Sequence, residues 1–156
     1  MGFAEQYRKG REQLLNDPAI CRENRKLFGK FFKDQEYKLK RINGLQELDD
    51  PAYRTLLTYL NRLKILNGFF LNKAWSRLTR ADIKRVFDGL EDGEIKTHKG
   101  ERYKDRDCFY QIMRGKPFEL ARKDKLAKDV LRYCRGRDSS EVRFVEEETV
   151  RRLVEI

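Results

Sequence analysis

Apolar residues in this chain return at intervals of three and four, the period of one face of an α-helix, and almost nowhere alternate as a half-buried strand requires. Between residues 18 and 42, Ile20, Leu27, Phe28, Phe31, Leu39 and Ile42 share one stripe with Gln35 as its polar gap. Arg25, Lys26, Lys30, Lys33 and Lys40 fall mostly on the other side. The spacing predicts a long amphipathic helix that begins at Pro18 and is stopped by Asn43 and Gly44. A second helix is predicted from about Asp50 and Pro51 to about Leu71, its core face carrying Tyr53, Leu56, Leu57, Leu60, Leu63 and Phe70. The third is the clearest. Thr79 with Asp82 three residues later forms a capping-box start, Ile83, Val86, Phe87 and Leu90 supply the stripe, and Gly93 supplies the stop.

The segment 94–107 is polar and contains Gly100, which predicts a loop or loose ribbon in its first half. A helix then resumes near Lys104, with Cys108, Phe109, Ile112 and Met113 facing inward, Arg106, Tyr110 and Arg114 pointing out, and Gly115 to Pro117 as its end. A further helix is expected over about 123–135, packing Leu126, Ala127, Val130, Leu131 and Cys134. Residues 1–17 form an N-terminal extension whose weak stripe of Phe3, Tyr7 and Leu14 allows an additional helix. Residues 136–140 read as a linker. In 141–156 the run Val142 to Val145 leads into Glu146, Glu147 and Glu148, suited to the first turn of a helix. The expected fold class is therefore all-α: a bundle of four to five short helices over residues 18–135, followed by a C-terminal stub helix.

Composition sharpens this. Charged residues make up 40% of the chain and apolar ones 39%, so the core must be assembled from thin stripes. The formal net charge is +10, and Lys and Arg are interspersed with Phe and Leu instead of gathered in a tail. A folded basic face is the expectation, with nucleic acid as its first partner and a membrane surface as its second. Three cysteines at wide spacing, Cys21, Cys108 and Cys134, indicate neither a disulfide framework nor a zinc cluster. They read as reduced, half-buried small hydrophobes. No apolar run is long enough for a membrane span, and the N-terminus is too charged for a secretory leader, so the expected location is intracellular and cytoplasmic, associated with the nucleoid.

Little in the sequence could build a catalytic centre. His98, the single histidine, stands in a Lys-rich loop. The carboxylate pairs Asp49–Asp50 and Glu91–Asp92 sit at helix ends, where capping is their ordinary role. Gly89-x-x-x-Gly93 lacks the lysine and the strand of a phosphate loop. No catalytic set, metal site or cofactor is expected. Basic surfaces are more informative, because phosphates reward Lys and Arg held on a rigid face. One is the outer side of the second helix, with Arg54, Thr55, Thr58 and Arg62. The other is the loop and helix start with Lys96, Lys99, Arg102, Lys104 and Arg106. Tyr59 and Tyr110 are candidates to hydrogen-bond phosphate, and Arg114 joins them on the outward face. Phe28, Phe31 and Phe32 have core spacing.

The succession ENRKLFGKFF, DDPAYRTLLTYLNRLKILNGFF, LTRADIKRVFDGL and YKDRDCFYQIMRGKPF, spanning residues 18–135, resembles the core-binding domain of tyrosine recombinases (phage-type integrases), in particular the archaeal integrase-like group. The start at Thr79-x-x-Asp82-Ile83 and the Lys116-Pro117-Phe118 closure carry most of the likeness. The resemblance implies an orthogonal, SAM-like helical bundle that clamps double-stranded DNA at a recombination site. It also implies that the second helix and the one starting near Lys104 approach the major groove, with most contacts to phosphates. The family's Arg, Lys, His-x-x-Arg and tyrosine nucleophile have no match. His98 is followed at 101 by Glu, and Tyr133 lies on an expected bundle helix. DNA binding without cleavage is the expectation. Residues 141–156, with five acidic and three basic residues, resemble the first strand and helix of the catalytic domain, and the stub offers a route to self-association. The competing expectations are a SAM-like protein-interaction module and a non-specific nucleic-acid-binding protein.

Overall fold

The computed structural model describes residues 2–134, and within them the chain is an all-α bundle. Seven α-helices follow in order: α1 (Phe3–Leu15), α2 (Arg22–Ile42), α3 (Asp50–Phe69), α4 (Arg80–Glu91), α5 (Asp107–Met113), α6 (Lys116–Leu120) and α7 (Asp124–Val130). Short 3₁₀ turns cover Trp75–Arg77 and Leu131–Tyr133. The expected linker, the Val142 run and the stub all lie outside the described residues.

The helix starts have chemical causes. Asp49 caps α3 by accepting the Ala52 N–H at 3.0 Å, with Pro51 in the first turn where its missing N–H costs nothing. At α4 the capping box is complete: Thr79 Oγ1 accepts the Asp82 N–H at 3.2 Å while Asp82 Oδ2 accepts the Thr79 N–H at 2.9 Å. Lys73 donates to the same carboxylate at 2.7 Å, and the Lys73 and Thr79 hydrogen bonds together hold the Asp82 carboxyl down to about 2. Helix α2 ends as its sequence promised, with Gly44 at φ 64° and the Leu45 N–H returning to the Lys40 carbonyl.

Three expectations need correction. Pro18 does not open α2. It lies in a turn held by Asp17, whose carboxylate accepts the Ala19 N–H, and the helix begins four positions later at Arg22. Ile42 is 68% exposed because α2 runs past the end of the bundle. Lys116 and Pro117 do not merely end α5. They open α6, whose Phe118 is fully buried. The weak N-terminal stripe does form a helix, and Tyr7 and Leu14 are its buried residues.

One core runs through the bundle, and Trp75 is at its centre. The rings of Phe28, Phe70 and Phe118 surround it at centroid distances of 5.0, 6.1 and 5.2 Å. A buried polar cluster lies alongside. Asn67 Oδ1 accepts from the Trp75 indole at 3.1 Å and from Asn24 Nδ2 at 2.9 Å, and Asn24 Oδ1 accepts the Trp75 backbone N–H at 2.9 Å. Asn67 Nδ2 then reaches Asn72, which also receives the Cys21 N–H. The cluster ties α2 and α3 to the 71–75 connection, where Leu71 and Asn72 adopt positive φ.

Two further ties share one design. Glu36 on α2 accepts from Tyr7 and Arg11 of α1, and Glu91 on α4 accepts from Tyr110 and Arg106 at the start of α5. In each case burial and the carboxylate partner push the tyrosine hydroxyl well above its ordinary range, so both phenols stay neutral donors. No disulfide joins Cys21, Cys108 and Cys134. Among the described residues no helix is long and apolar enough to cross a membrane.

Candidate nucleic-acid interface

Helix α3 packs on α2 and α5, and α6 on α2 and α5, so the four helices enclose a groove. Its volume is about 350 Å³. The α3 wall is Thr55, Thr58, Tyr59 and Arg62, spaced i, i+3, i+4 and i+7 on one helical face. Helix α2 contributes Phe31, Gln35 and Lys38. Cys108, Gln111 and Ile112 come from α5, and Gly115, Lys116 and Pro117 from the junction with α6.

The lining is electrically one-sided. Lys38, Arg62 and Lys116 arrive from three different helices, and no carboxylate lines the groove. Neither Lys38 nor Lys116 has an ion-pair partner among the described residues. Arg62 Nη2 stands 3.4 Å from Asp105 Oδ2, a long contact between part-exposed groups that is worth at most about 1 kcal/mol. An arriving phosphate can therefore redirect Arg62 at little cost. Thr55 and Thr58 turn their hydroxyls back to the Pro51 and Arg54 carbonyls at 3.1 Å, which leaves their oxygens as acceptors on the groove wall. Tyr59 is half-buried, with its ring edge-on to Phe31 at 5.2 Å.

Of the residues singled out from sequence, Thr55, Thr58, Tyr59 and Arg62 thus converge. Arg54 does not join them: its guanidinium lies over the Phe3 ring of α1 at 5.2 Å. The second basic region divides. Lys96, Lys99 and Lys104 are exposed. The chain around them is the loose ribbon expected from sequence, closed by a single bridge between Lys96 and Arg102. Lys104 immediately precedes Asp105, the partner of Arg62, so this region meets the groove at the start of α5. Arg102 and Arg106 turn instead toward α4. Arg102 donates to the Glu91 carbonyl, and Arg106 Nε donates to Glu91 Oε2 at 2.7 Å.

Tyr110 is a clear correction. It was expected to point outward to phosphate, yet it is only 1% exposed, with its ring against Phe87 and its hydroxyl on Glu91 at 2.7 Å. Five of the seven residues of α5 are buried, so the helix has scarcely any outer face to give it. Arg114 is half-buried beside Asp107, with 3.8 Å between the charges. Burial pushes the Glu91 carboxyl up, but the hydrogen bonds from Arg106 and Tyr110 and the charges of Arg106 and Arg102 outweigh it and hold the group below its ordinary value.

Sequence reading missed Lys38, Gln111 and Lys116. Lys38 carries the same charge signal as its neighbours on α2, but only packing shows which lysine of that helix overlooks α3. Elsewhere, His98 is exposed in the ribbon and Tyr133 is exposed in a 3₁₀ turn beneath the Arg132 guanidinium. Among the described residues no group of three or more His, Cys, Asp or Glu side chains is placed to hold a metal ion. Comparison of the chain with protein-family models, with curated proteins and with solved structures found no match.

Proposed function

We propose that this protein binds double-stranded DNA across the mouth of the α3–α5 groove, as the core-binding module of a tyrosine recombinase, and does not itself cut the strand. The observation that carries DNA binding is the meeting of Lys38, Arg62 and Lys116 around a groove with no acidic lining, in a chain of net charge +10. Cations carried on three packed helices offer a set of phosphate contacts, and binding releases the counterions condensed on the duplex. Between them Thr55 and Thr58 offer acceptor oxygens suited to base amino groups, and Gln111 an amide suited to phosphate or base-edge contacts. The recombinase assignment rests on the order of the four sequence segments and on α3 and the start of α5 lining one groove, as that resemblance implies. Strand cleavage is assigned no residue here.

Fluorescence anisotropy with a labelled duplex over a range of salt concentrations tests the reading. Log K should fall steeply with log salt, and Lys38→Ala, Lys104→Ala and Lys116→Ala should each flatten the slope by about 0.9. Tyr110→Phe should leave it unchanged. Duplex affinity that ignores salt, or no binding at low salt, would remove the proposal and favour a protein-interaction role. Equal affinity for single strands would favour a non-specific nucleic-acid binder.

A further inference from the structure

The groove has a floor that phosphate binding does not explain. Gln35 is only 6% exposed, lines the groove from α2, and makes no side-chain hydrogen bond to any described residue. Its planar amide offers two donors and an acceptor. Among the described residues the buried side-chain atom without a partner is Arg25 Nε, so the Gln35 amide is open to the groove. Of the three polar residues buried among the described ones, Asn24 and Asn67 bond within the Trp75 cluster, whereas Gln35 lines the groove. Tyr59, half-buried and backed by the buried Phe31 ring, flanks it with aromatic surface, while Lys38, Arg62 and Lys116 supply the positive charge. At about 350 Å³ the space falls at the small end of small-molecule sites, which run from about 300 to 1,000 Å³. A duplex cannot enter it. One nucleotide unit can.

We propose that the groove is a pocket for a single nucleotide, its base against Tyr59 with an edge hydrogen-bonded to the Gln35 amide, and its phosphate held by Lys38, Arg62 and Lys116. Every base carries a neighbouring donor and acceptor on one edge, and an amide that can turn over matches either order, so the pocket selects a base without selecting which. The occupant is either a free mononucleotide or a nucleotide displaced from DNA. The second source rests on the duplex-binding reading, and the first does not.

The intact protein is titrated with adenosine and cytidine monophosphates and with ribose 5-phosphate, which has the phosphate but no base, and amide chemical shifts are followed by NMR. Both mononucleotides should bind at least about ten-fold more tightly than ribose 5-phosphate, which forgoes the amide hydrogen bonds and the contact with Tyr59. Gln35→Leu should shrink that difference while ribose 5-phosphate affinity holds and the melting temperature stays level or rises. Gln35→Met serves the same purpose if leucine disturbs the packing. Lys116→Ala should weaken all three ligands. In a second arm, a duplex with one unpaired extrahelical nucleotide is compared with the fully paired duplex. A gain in affinity that Gln35→Leu removes identifies displaced DNA as the source, and mononucleotide binding without that gain identifies the free ligand. Equal binding of mononucleotides and ribose 5-phosphate, with no preference for the bulged duplex, overturns the pocket and leaves salt-dependent duplex binding standing. Gln35-dependent mononucleotide binding with no duplex binding at any salt overturns the DNA reading and leaves the pocket standing.

Discussion

Glu91 should be worth more to this fold than its position at a helix end suggests. Its Oε2 accepts from Arg106 Nε and from the Tyr110 hydroxyl, both at 2.7 Å, and these bonds fasten the start of α5 to the end of α4. Replacing Glu91 by Ala strands the Tyr110 hydroxyl in a site where the residue is 1% exposed, a loss of about 1–3 kcal/mol. The ion pair with Arg106 is partly exposed and adds at most about 1 kcal/mol. Together the substitution should cost about 2–3 kcal/mol. For a domain of this size that lowers the melting temperature by about 6–15 °C at neutral pH. Tyr110→Phe removes the donor but leaves the carboxylate on Arg106, and should cost only about 1 kcal/mol. The folded protein holds the Glu91 carboxyl below its ordinary value, so its contribution is present above the unfolded pKa and is lost as pH falls through the folded one. Circular dichroism melts of the wild type and Glu91→Ala should therefore draw closer, without meeting, as the pH is lowered from 7 to 3, because a protonated Glu91 still accepts from Tyr110. Equal melting temperatures at pH 7, or a Tyr110→Phe loss as large as that of Glu91→Ala, would refute this account of the α4–α5 junction.

Three further substitutions probe the α5–α6 junction and the α4 cap. A Cβ at Gly115 would stand 2.8 Å from the Gln111 carbonyl oxygen, a backbone atom with no room to swing. Gly115→Ala should cost about 1–3 kcal/mol in urea denaturation and, by displacing Lys116, weaken duplex binding. At the α4 cap, Thr79→Ala should cost about 1 kcal/mol. Asp82 is held down to about 2, so the stability gap between the wild type and Asp82→Ala should be full above about pH 4 and should close as pH falls toward 2, as thermal melts across that range would report.

What the sequence made readable follows from how much of the signal is local. Helix α4 could be placed almost to the residue because its cap, stripe and stop all lie within one short segment. Asp49 and Pro51 did the same for α3. The N-cap of α2 is Cys21, with no side-chain capping bond, so Pro18 is the stronger local start signal. Helix α6 has five residues, too few to show a period, and a Lys-Pro pair fits a stop as well as a start. Tyr110 misled for a related reason. In a helix buried on nearly every side the apolar period has no polar counterpart, so its phase points nowhere.

The groove obeys the same logic at a larger scale. Periodicity reports which way a residue faces within its own helix. It is silent on which helices meet. The α3 wall could be read because Thr55, Thr58, Tyr59 and Arg62 belong to one helix and one face. Lys38 and Lys116 become part of the site only through the packing of α6 on α2, fixed by Phe118 entering the Trp75 cluster. Gln35 carries the sharpest lesson. On the stripe of α2 it looked like a gap in an apolar face, a position where Leu would have packed better. Once α3 and α6 are in place the same gap opens onto the basic groove. A polar residue in an apolar stripe marks the place where the packed core gives way to the groove.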